Sequence, residues 1–208
     1  MFDPAAAMFM LALTLRAATQ VISPNLQLDE AVDVILEKGV TNTLLLPIMI
    51  HRMAHNPGLA KLSRTTLRQL NCVSSPADGK LLQSLGERMP TVKLTKIFTV
   101  PEMAPLISIA ACDPRTARPK GAIGWPSLTT ELRIVAVNGE EVPRGKTGEL
   151  AVRGAGLMLG YWNRPAETAK AIREGWLHTG DAAYMDEAGE FFVIGKLRPG
   201  QAGNSIQE

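Results

Sequence analysis

Cysteine, histidine and aromatic rings are all scarce in this chain: 208 residues hold two cysteines, three histidines and 5% Phe, Trp and Tyr. Cys72 and Cys112 lack CxxC spacing, so no disulfide framework is indicated and a reducing cytosol is the default location. An excess of one sign of charge is missing as well. The formal net charge of +2, with no arginine–aromatic cluster along the chain, gives no reason to expect nucleic acid as a partner. Long hydrophobic runs are absent too: "AAAMFMLALTL", Ala5 to Leu15, falls short of the roughly 20 residues of a membrane span. Its length suits a signal-peptide core, but the preceding "MFDP" carries Asp3 and no Lys or Arg, so a buried helix is the expectation. A chain that opens almost inside a buried element reads as part of something longer.

What is present is ordinary globular material. With 46% hydrophobic and 20% charged residues the chain can bury a core, as one large domain or two small subdomains. Its first half alternates strand and helix patterns. "TQVIS", Thr19 to Ser23, reads as a short strand; Leu28, Val32 and Ile35 then share a helical face that Gly39 stops. "VTNTLLLP" at Val40 to Pro47 and "LNCVS" at Leu70 to Ser74 read as buried strands. Asp78 is placed to cap a helix with Leu81, Leu82 and Leu85 inward and Pro90 at its end. Such alternation favours a parallel sheet covered by helices.

After Pro114 the grammar changes. "ELRIVAV" alternates, with Leu132, Ile134 and Ala136 on one face, Asn138 and Gly139 supply a turn, and "GELAVRG" alternates again. "DEAGEFFVIG" repeats turn then strand, and one short helix is expected near Pro165 to Arg173. The fold class is therefore α/β: a partial parallel sheet with covering helices over residues 1–112, then a mostly antiparallel β subdomain over 113–195. No internal repeat interrupts it.

Several motifs are decoys. "GEEVPRGKT", Gly139 to Thr147, has five residues between its glycines where a phosphate loop needs four, and β patterns flank it. His51 and His55 in "HRMAH" lack the adjacent Glu of a metalloprotease helix and a third ligand, so two ordinary surface histidines are expected. "RGAGLMLG" has no helix-opening signal behind it and reads as a flexible loop. "HTGD", His178 to Asp181, admits two readings: a turn, or a ligand-facing carboxylate able to accept both hydrogen bonds of a vicinal diol such as a ribose.

The segment "GELAVRGAGLMLGYWNRPAETAKAIREGWLHTGDAAYMDEAGEFFVIGK" closely resembles the adenylate-forming (AMP-dependent) ligases, in particular the acyl-CoA synthetases. The shared pattern is Gly-Glu-Leu, an Arg-Gly loop, Gly-Tyr-Trp, a Pro and Thr helix, Gly-Trp-x-x-Thr-Gly-Asp, and Asp-Glu-x-Gly before a closing strand. "GAIGWP" fits just ahead of it, and "LDEAVDVILEKGVTNTLLLP" and "LSRTTLRQLNCVSSPADGKLL" fit more loosely. The resemblance implies the second half of the large N-terminal domain of such a ligase, with residues 196–208 as a hinge remnant. It implies a role for ATP or AMP, Mg2+ and coenzyme A, and a small-molecule carboxylic acid as substrate, as in fatty acid metabolism. In intact relatives the acid attacks the α-phosphate of ATP to give an acyl-adenylate, from which a thiol displaces AMP.

The same resemblance assigns residues. Asp181 inherits the grip on the ribose hydroxyls. "FTVPE" stands where the family has Tyr-Gly-x-Thr-Glu, so Phe98 keeps the aromatic face for adenine, Thr99 replaces the Gly, Pro101 the Thr, and Glu102 keeps the carboxylate for magnesium. "VSSP", Val73 to Pro76, replaces a glycine-rich adenine loop. Lys196 stands at the Arg of the family's Gly-Arg-x-Lys-Asp hinge, keeping charge without the planar fork of donors, and Pro199 sits where rotation is needed. Asp3 replaces a pocket histidine. The family's phosphate loop and the small domain with the catalytic lysine have no counterpart here, so no catalytic residue is assigned and the chain alone is expected to be inactive. The alternatives are a ligase fragment that meets a complementary fragment, or a non-catalytic remnant that binds a nucleotide, an acyl ligand or a partner protein. An unusually large exposed apolar patch is expected on the first half, where the rest of a ligase would pack.

Overall fold

A computed structural model describes residues 4–22, 30–56, 59, 66–73, 79–112 and 121–197. Ser23, Leu28, Ser74 to Asp78, Pro114, Pro199 and Asp3, all weighed above, lie outside the described residues. The chain divides into two compact units, one of Met1–Ile97 with Ala110–Pro119, the other of Phe98–Ile109 with Lys120–Glu208.

The first unit carries helices α1 (Pro4–Leu15), α2 (Ala31–Glu37), α3 (Pro47–His55) and α4 (Gly79–Arg88), with strands β1 (Asn42–Leu45) and β2 (Gln69–Val73) and the start of β3 (Lys93–Val100). β1, β2 and β3 pair in parallel, with Leu45 beside Cys72 and Val73 beside Ile97. Parallel neighbours need long crossovers, and α3 and α4 supply them. Local chemistry sets the helix ends. Pro47 opens α3, where its missing N–H costs nothing. Gly39, at φ +62°, closes α2 while the Val40 N–H reaches back to the Ile35 carbonyl. β2 is buried over its last four residues and packs Leu70 and Cys72 against Val32, Ile50, Met53, Leu85 and Leu94.

Two expectations for this unit are corrected. "TQVIS" is not a strand: residues 19–22 have no regular structure, and Gln20 instead binds the Met10 carbonyl and Thr14 hydroxyl of α1. The apolar α1 is a helix but not a buried one, since none of its described side chains is fully covered and Leu11 and Leu15 are exposed. Being apolar on every side, it has more greasy surface than one neighbour can cover. With Val21, Ile22, Leu46 and Ile48 it accounts for the exposed large hydrophobics among the described residues of this unit. A cavity of about 650 Å³ lies between α1, residues 18–22, α2 and β1.

The second unit is antiparallel throughout. It takes the end of β3 and most of β4 (Met103–Cys112), and adds β5 (Ala122–Pro126), β6 (Thr130–Val135), β7 (Gly148–Gly154), helix α5 (Pro165–Ala171), β8 (Ile172–Arg173), β9 (Trp176–Met185) and β10 (Phe191–Lys196). Pairing runs β4 to β5, β5 to β10, β10 to β9, β9 to β7 and β7 to β6, with β8 also on β9. Phe98, Met103, Ile107, Ile123, Leu150, Val152, Leu177 and Phe191 form the core. β4 has no counterpart in the sequence reading. Pro105 interrupts its pattern, yet Leu106 to Cys112 is a nearly unbroken apolar and small run.

Alternation along β7 places Ala151 on the opposite face from Leu150 and Val152, against Val135 and Trp176. Two guanidiniums stack there, Arg133 at 4.0 Å and Arg153 at 4.5 Å from the Trp176 ring centre. An arginine–aromatic cluster therefore exists in space although none exists along the chain. Val135 is fully buried on this second face, so β6 is covered on both sides and not only along Leu132 and Ile134.

Candidate functional site

The "HTGD" motif is neither a loop nor an ordinary turn. It lies within β9, between β7 and β10, and makes a bulge. Glu149 of β7 faces Ala182, but Ala151, two residues on, faces His178. Thr179, Gly180 and Asp181 therefore stand opposite Leu150 alone. Bulges of this kind re-aim side chains and leave ladder groups unpaired. Gly180 adopts φ +69°, a conformation that L side chains rarely take.

The bulge is satisfied by side chains instead of the ladder. The Thr179 hydroxyl donates to the Leu150 carbonyl at 2.9 Å and accepts the Asp181 N–H at 3.1 Å. The Gly180 N–H donates to Glu149 Oε1 at 3.0 Å, and Glu149 Oε2 lies 2.8 Å from Nδ1 of His178. On the other edge, the Leu197 N–H donates to the Gly180 carbonyl at 2.8 Å. His178 and Glu149 are both largely buried, and only their pairing makes that burial tolerable.

Asp181 sits directly across from Lys196 in the β9 and β10 register. The Lys196 ammonium approaches Asp181 Oδ1 at 2.8 Å and donates to the Thr179 carbonyl at 3.3 Å. The exposures are lopsided: 7% for the Asp181 side chain and 72% for that of Lys196. The carboxylate thus lies behind a solvated ammonium. An ionised carboxylate accepts about four hydrogen bonds, and Lys196 uses one of them.

The remaining expected site residues gather around the β3–β4 hairpin. "FTVPE" forms the end of β3 and the two-residue turn Pro101 and Glu102, so the family's loop is here a tight hairpin. Phe98 is 8% exposed and its ring belongs to the apolar core with Met103 and Ile107. Thr99 is buried as well. Glu102 Oε1 accepts a hydrogen bond from the Tyr161 hydroxyl at 2.7 Å, and the Glu102 carbonyl accepts the Met158 N–H. That hydrogen bond, followed by partial burial and the nearby negative charge, raises the Tyr161 phenol above its ordinary value. Thr168 of α5 anchors the same loop by accepting the Tyr161 N–H at 2.9 Å while donating to the Arg164 carbonyl.

The structure therefore joins Asp181 to Lys196 and Glu102 to Tyr161. Among the described residues, no three His, Cys, Asp or Glu side chains converge as a metal site. His51 and His55 are exposed on α3, their rings 4.6 Å apart and Nδ1 of His55 bonded to the His51 carbonyl. Glu149 and Tyr161 were legible in the sequence only as letters of the Gly-Glu-Leu and Gly-Tyr-Trp strings, without a role.

The inhibitor-bound N-terminal domain of FACL13 from Mycobacterium tuberculosis superposes with a TM-score of 0.84 at 22% identity, covering 95% of this chain and 48% of that one. The model of the family described as "AMP-binding enzyme" matches residues 1–162, and the chain belongs to that family. The match ends before the bulge and does not reach Asp181 and Lys196. A feruloyl-CoA synthase from Amycolatopsis sp is 32% identical over 162 residues, which are 78% of this chain and 32% of that protein. A 4-coumarate–CoA ligase from Glycine max is 29% identical over 186 residues, 87% of this chain and 63% of that protein. The chain thus spans about one third to two thirds of the length of these relatives.

Proposed function

We propose that this chain is the nucleotide-gripping part of an acyl-CoA synthetase-type ligase, and that Asp181 receives the 2′ and 3′ hydroxyls of AMP or ATP. The observation that supports it is the bulge: three side-chain hydrogen bonds hold a Gly-Asp pair out of the ladder between β7 and β9, an arrangement a plain turn does not need. Lys196 then has two tasks. It neutralises the buried carboxylate when no ligand is bound, and it swings outward to meet phosphate oxygens when the diol takes its place. A flexible lysine stem suits that exchange better than the rigid fork of an arginine.

Glu102 fits a magnesium ion as one ligand only, with Tyr161 steering its second lone pair. Magnesium keeps several waters and takes phosphate oxygens as further ligands, so one carboxylate is enough to hold it beside a triphosphate. Phe98, being in the core, acts as the floor of the adenine pocket rather than as an open stacking face, and Thr99 fixes the strand beside it. The ion would supply charge neutralisation on the phosphates of the nucleotide. The acid substrate and coenzyme A belong to the ligase as a whole. The catalytic lysine and phosphate loop of that ligase are supplied by a complementary segment, and the chain alone holds nucleotide without turning it over.

The test is a titration with AMP and with 2′,3′-dideoxy-AMP, on the wild type and on Asp181→Ala. A hydrogen bond to a charged group contributes roughly 1.5–3 kcal/mol. AMP is expected to bind at about millimolar, near 4 kcal/mol. Removing the diol or the carboxylate should weaken binding about tenfold each, and removing both should add little. Equal binding of the two nucleotides by the wild type overturns the proposal and leaves the non-catalytic remnant that binds an acyl ligand or a partner protein.

A further inference from the structure

We propose that Glu149 is the positioning residue of the diol site: its carboxylate ties the start of the bulge to its middle and so aims Asp181. The inference rests on the reading of Asp181 as a ribose ligand. Three observations carry it. First, Glu149 is almost the only polar group of its strand turned inward. Its neighbours Gly148 and Leu150 are buried, its own side chain is 15% exposed, and carboxylates are seldom buried without a task. Second, the two oxygens are divided between two positions of the motif. Oε2 takes His178 at 2.8 Å, the residue that still pairs with Ala151, and Oε1 takes the N–H of Gly180 at 3.0 Å, inside the bulge. One rigid group therefore spans the step from ladder to bulge.

Third, the clamp acts where the backbone most needs direction. Gly180 has open space around the position of an absent Cβ, so packing does not hold it in its left-handed conformation. The Glu149 bond on its N–H and the Leu197 bond on its carbonyl do. Asp181 is the next residue, and its N–H leans on Thr179, the residue between the two clamped positions. Loss of the clamp frees the Gly180 dihedrals and lets the carboxylate of Asp181 turn off the line to the diol. A shift of about 1 Å is enough to cost such a site most of its gain.

The experiment compares AMP with 2′,3′-dideoxy-AMP on the full 208-residue chain as wild type, Glu149→Ala, Glu149→Gln and His178→Ala. In the wild type AMP should bind about tenfold better than the dideoxy nucleotide. Glu149→Ala should erase that preference by weakening AMP alone, leaving dideoxy-AMP unchanged. Glu149→Gln should restore it. The amide oxygen still accepts from Gly180, and the amide NH2 donates to Nδ1 of His178 in the tautomer that leaves this nitrogen unprotonated. His178→Ala keeps one arm of the clamp and should lower the preference to about threefold.

A Glu149→Ala chain that keeps the tenfold preference overturns the inference, as does one that loses both nucleotides equally, because Glu149 would then serve only the fold. If Glu149→Ala does not fold, His178→Ala decides: a retained tenfold preference, or an equal loss of both nucleotides, overturns the inference. A wild type without any preference for AMP removes the reading of Asp181 itself, which is a different failure from the first.

Discussion

The two units solve the problem of burying strands in opposite ways. In the first, β2 is covered by apolar side chains and its ladder partners keep an unbroken parallel register from Gln69 to Val73. Its buried Asn71 is spent on the sheet itself, donating to the Thr43 carbonyl and accepting from Gln69. In the second, registers shift in β7 with β9, in β9 with β10 and in β10 with β5. Buried titratable side chains collect at one of those shifts, as Glu149, His178 and Asp181. Regular ladders leave nothing over for a ligand; a broken one exposes donors and acceptors that side chains must satisfy, and those side chains form the candidate site.

The sharpest way to break this comparison is to hollow out each core. Ile50 and Ile107 are fully buried, one in each unit. Ile50→Ala and Ile107→Ala should each destabilise by about 3 kcal/mol, the usual cost of a large truncation with its cavity. Hydrogen exchange should then localise the damage: faster in β1 and β2 for the first variant, faster in β7 and β9 for the second. Equal loss of protection in both units from either variant would show one cooperative body and erase the distinction.

Backbone contacts give the next largest effect. Gly121 of the second unit has φ +90°, and a Cβ there would lie 2.2 Å from the Val193 carbonyl oxygen. Gly39 of the first has φ +62° but only ordinary contacts with Thr66 at 3.7 Å. Gly121→Ala should cost more than about 2 kcal/mol, since conformation and clash add. Gly39→Ala should cost about 1 kcal/mol, the left-handed penalty alone. Urea melts that return equal values would mean that β5 and β10 yield more readily than their pairing suggests.

The smallest effect sharpens the picture of the hairpin turn. The chain has two tyrosines, and both phenols are raised above the usual value of about 10. Hydrogen bonding to Glu102 is the leading cause for Tyr161, and burial for Tyr184. A raised folded pKa means that the Tyr161 contribution is complete below about pH 10 and is lost as pH rises through the folded value. Tyr161→Phe should lower stability by less than about 1 kcal/mol at neutral pH, because the pair is exposed. Difference absorbance between wild type and variant should place the Tyr161 ionisation above that of free tyrosine. An ordinary ionisation would remove the Glu102 hydrogen bond from the description.

Sequence pattern alone determined the class of each half. Period-two and period-3.6 hydrophobicity are local properties, so α2, α4, β6, β7 and β10 were legible where side chains sort by face, and β1 and β2 as short apolar runs, whereas β9 was not read as a strand. β4 escaped because Pro105 interrupts its apolar run, and "TQVIS" misled because strand propensity needs a neighbouring strand to act on. The Thr-Gly-Asp string identified Asp181 as a candidate. Only the tertiary structure decided how that residue is held. The bulge, the Lys196 ion pair and the Glu149 clamp join positions 15 to 31 residues apart along the chain. No local preference encodes such pairings, because they arise from the register of three strands and from which unpaired backbone groups that register leaves to be satisfied.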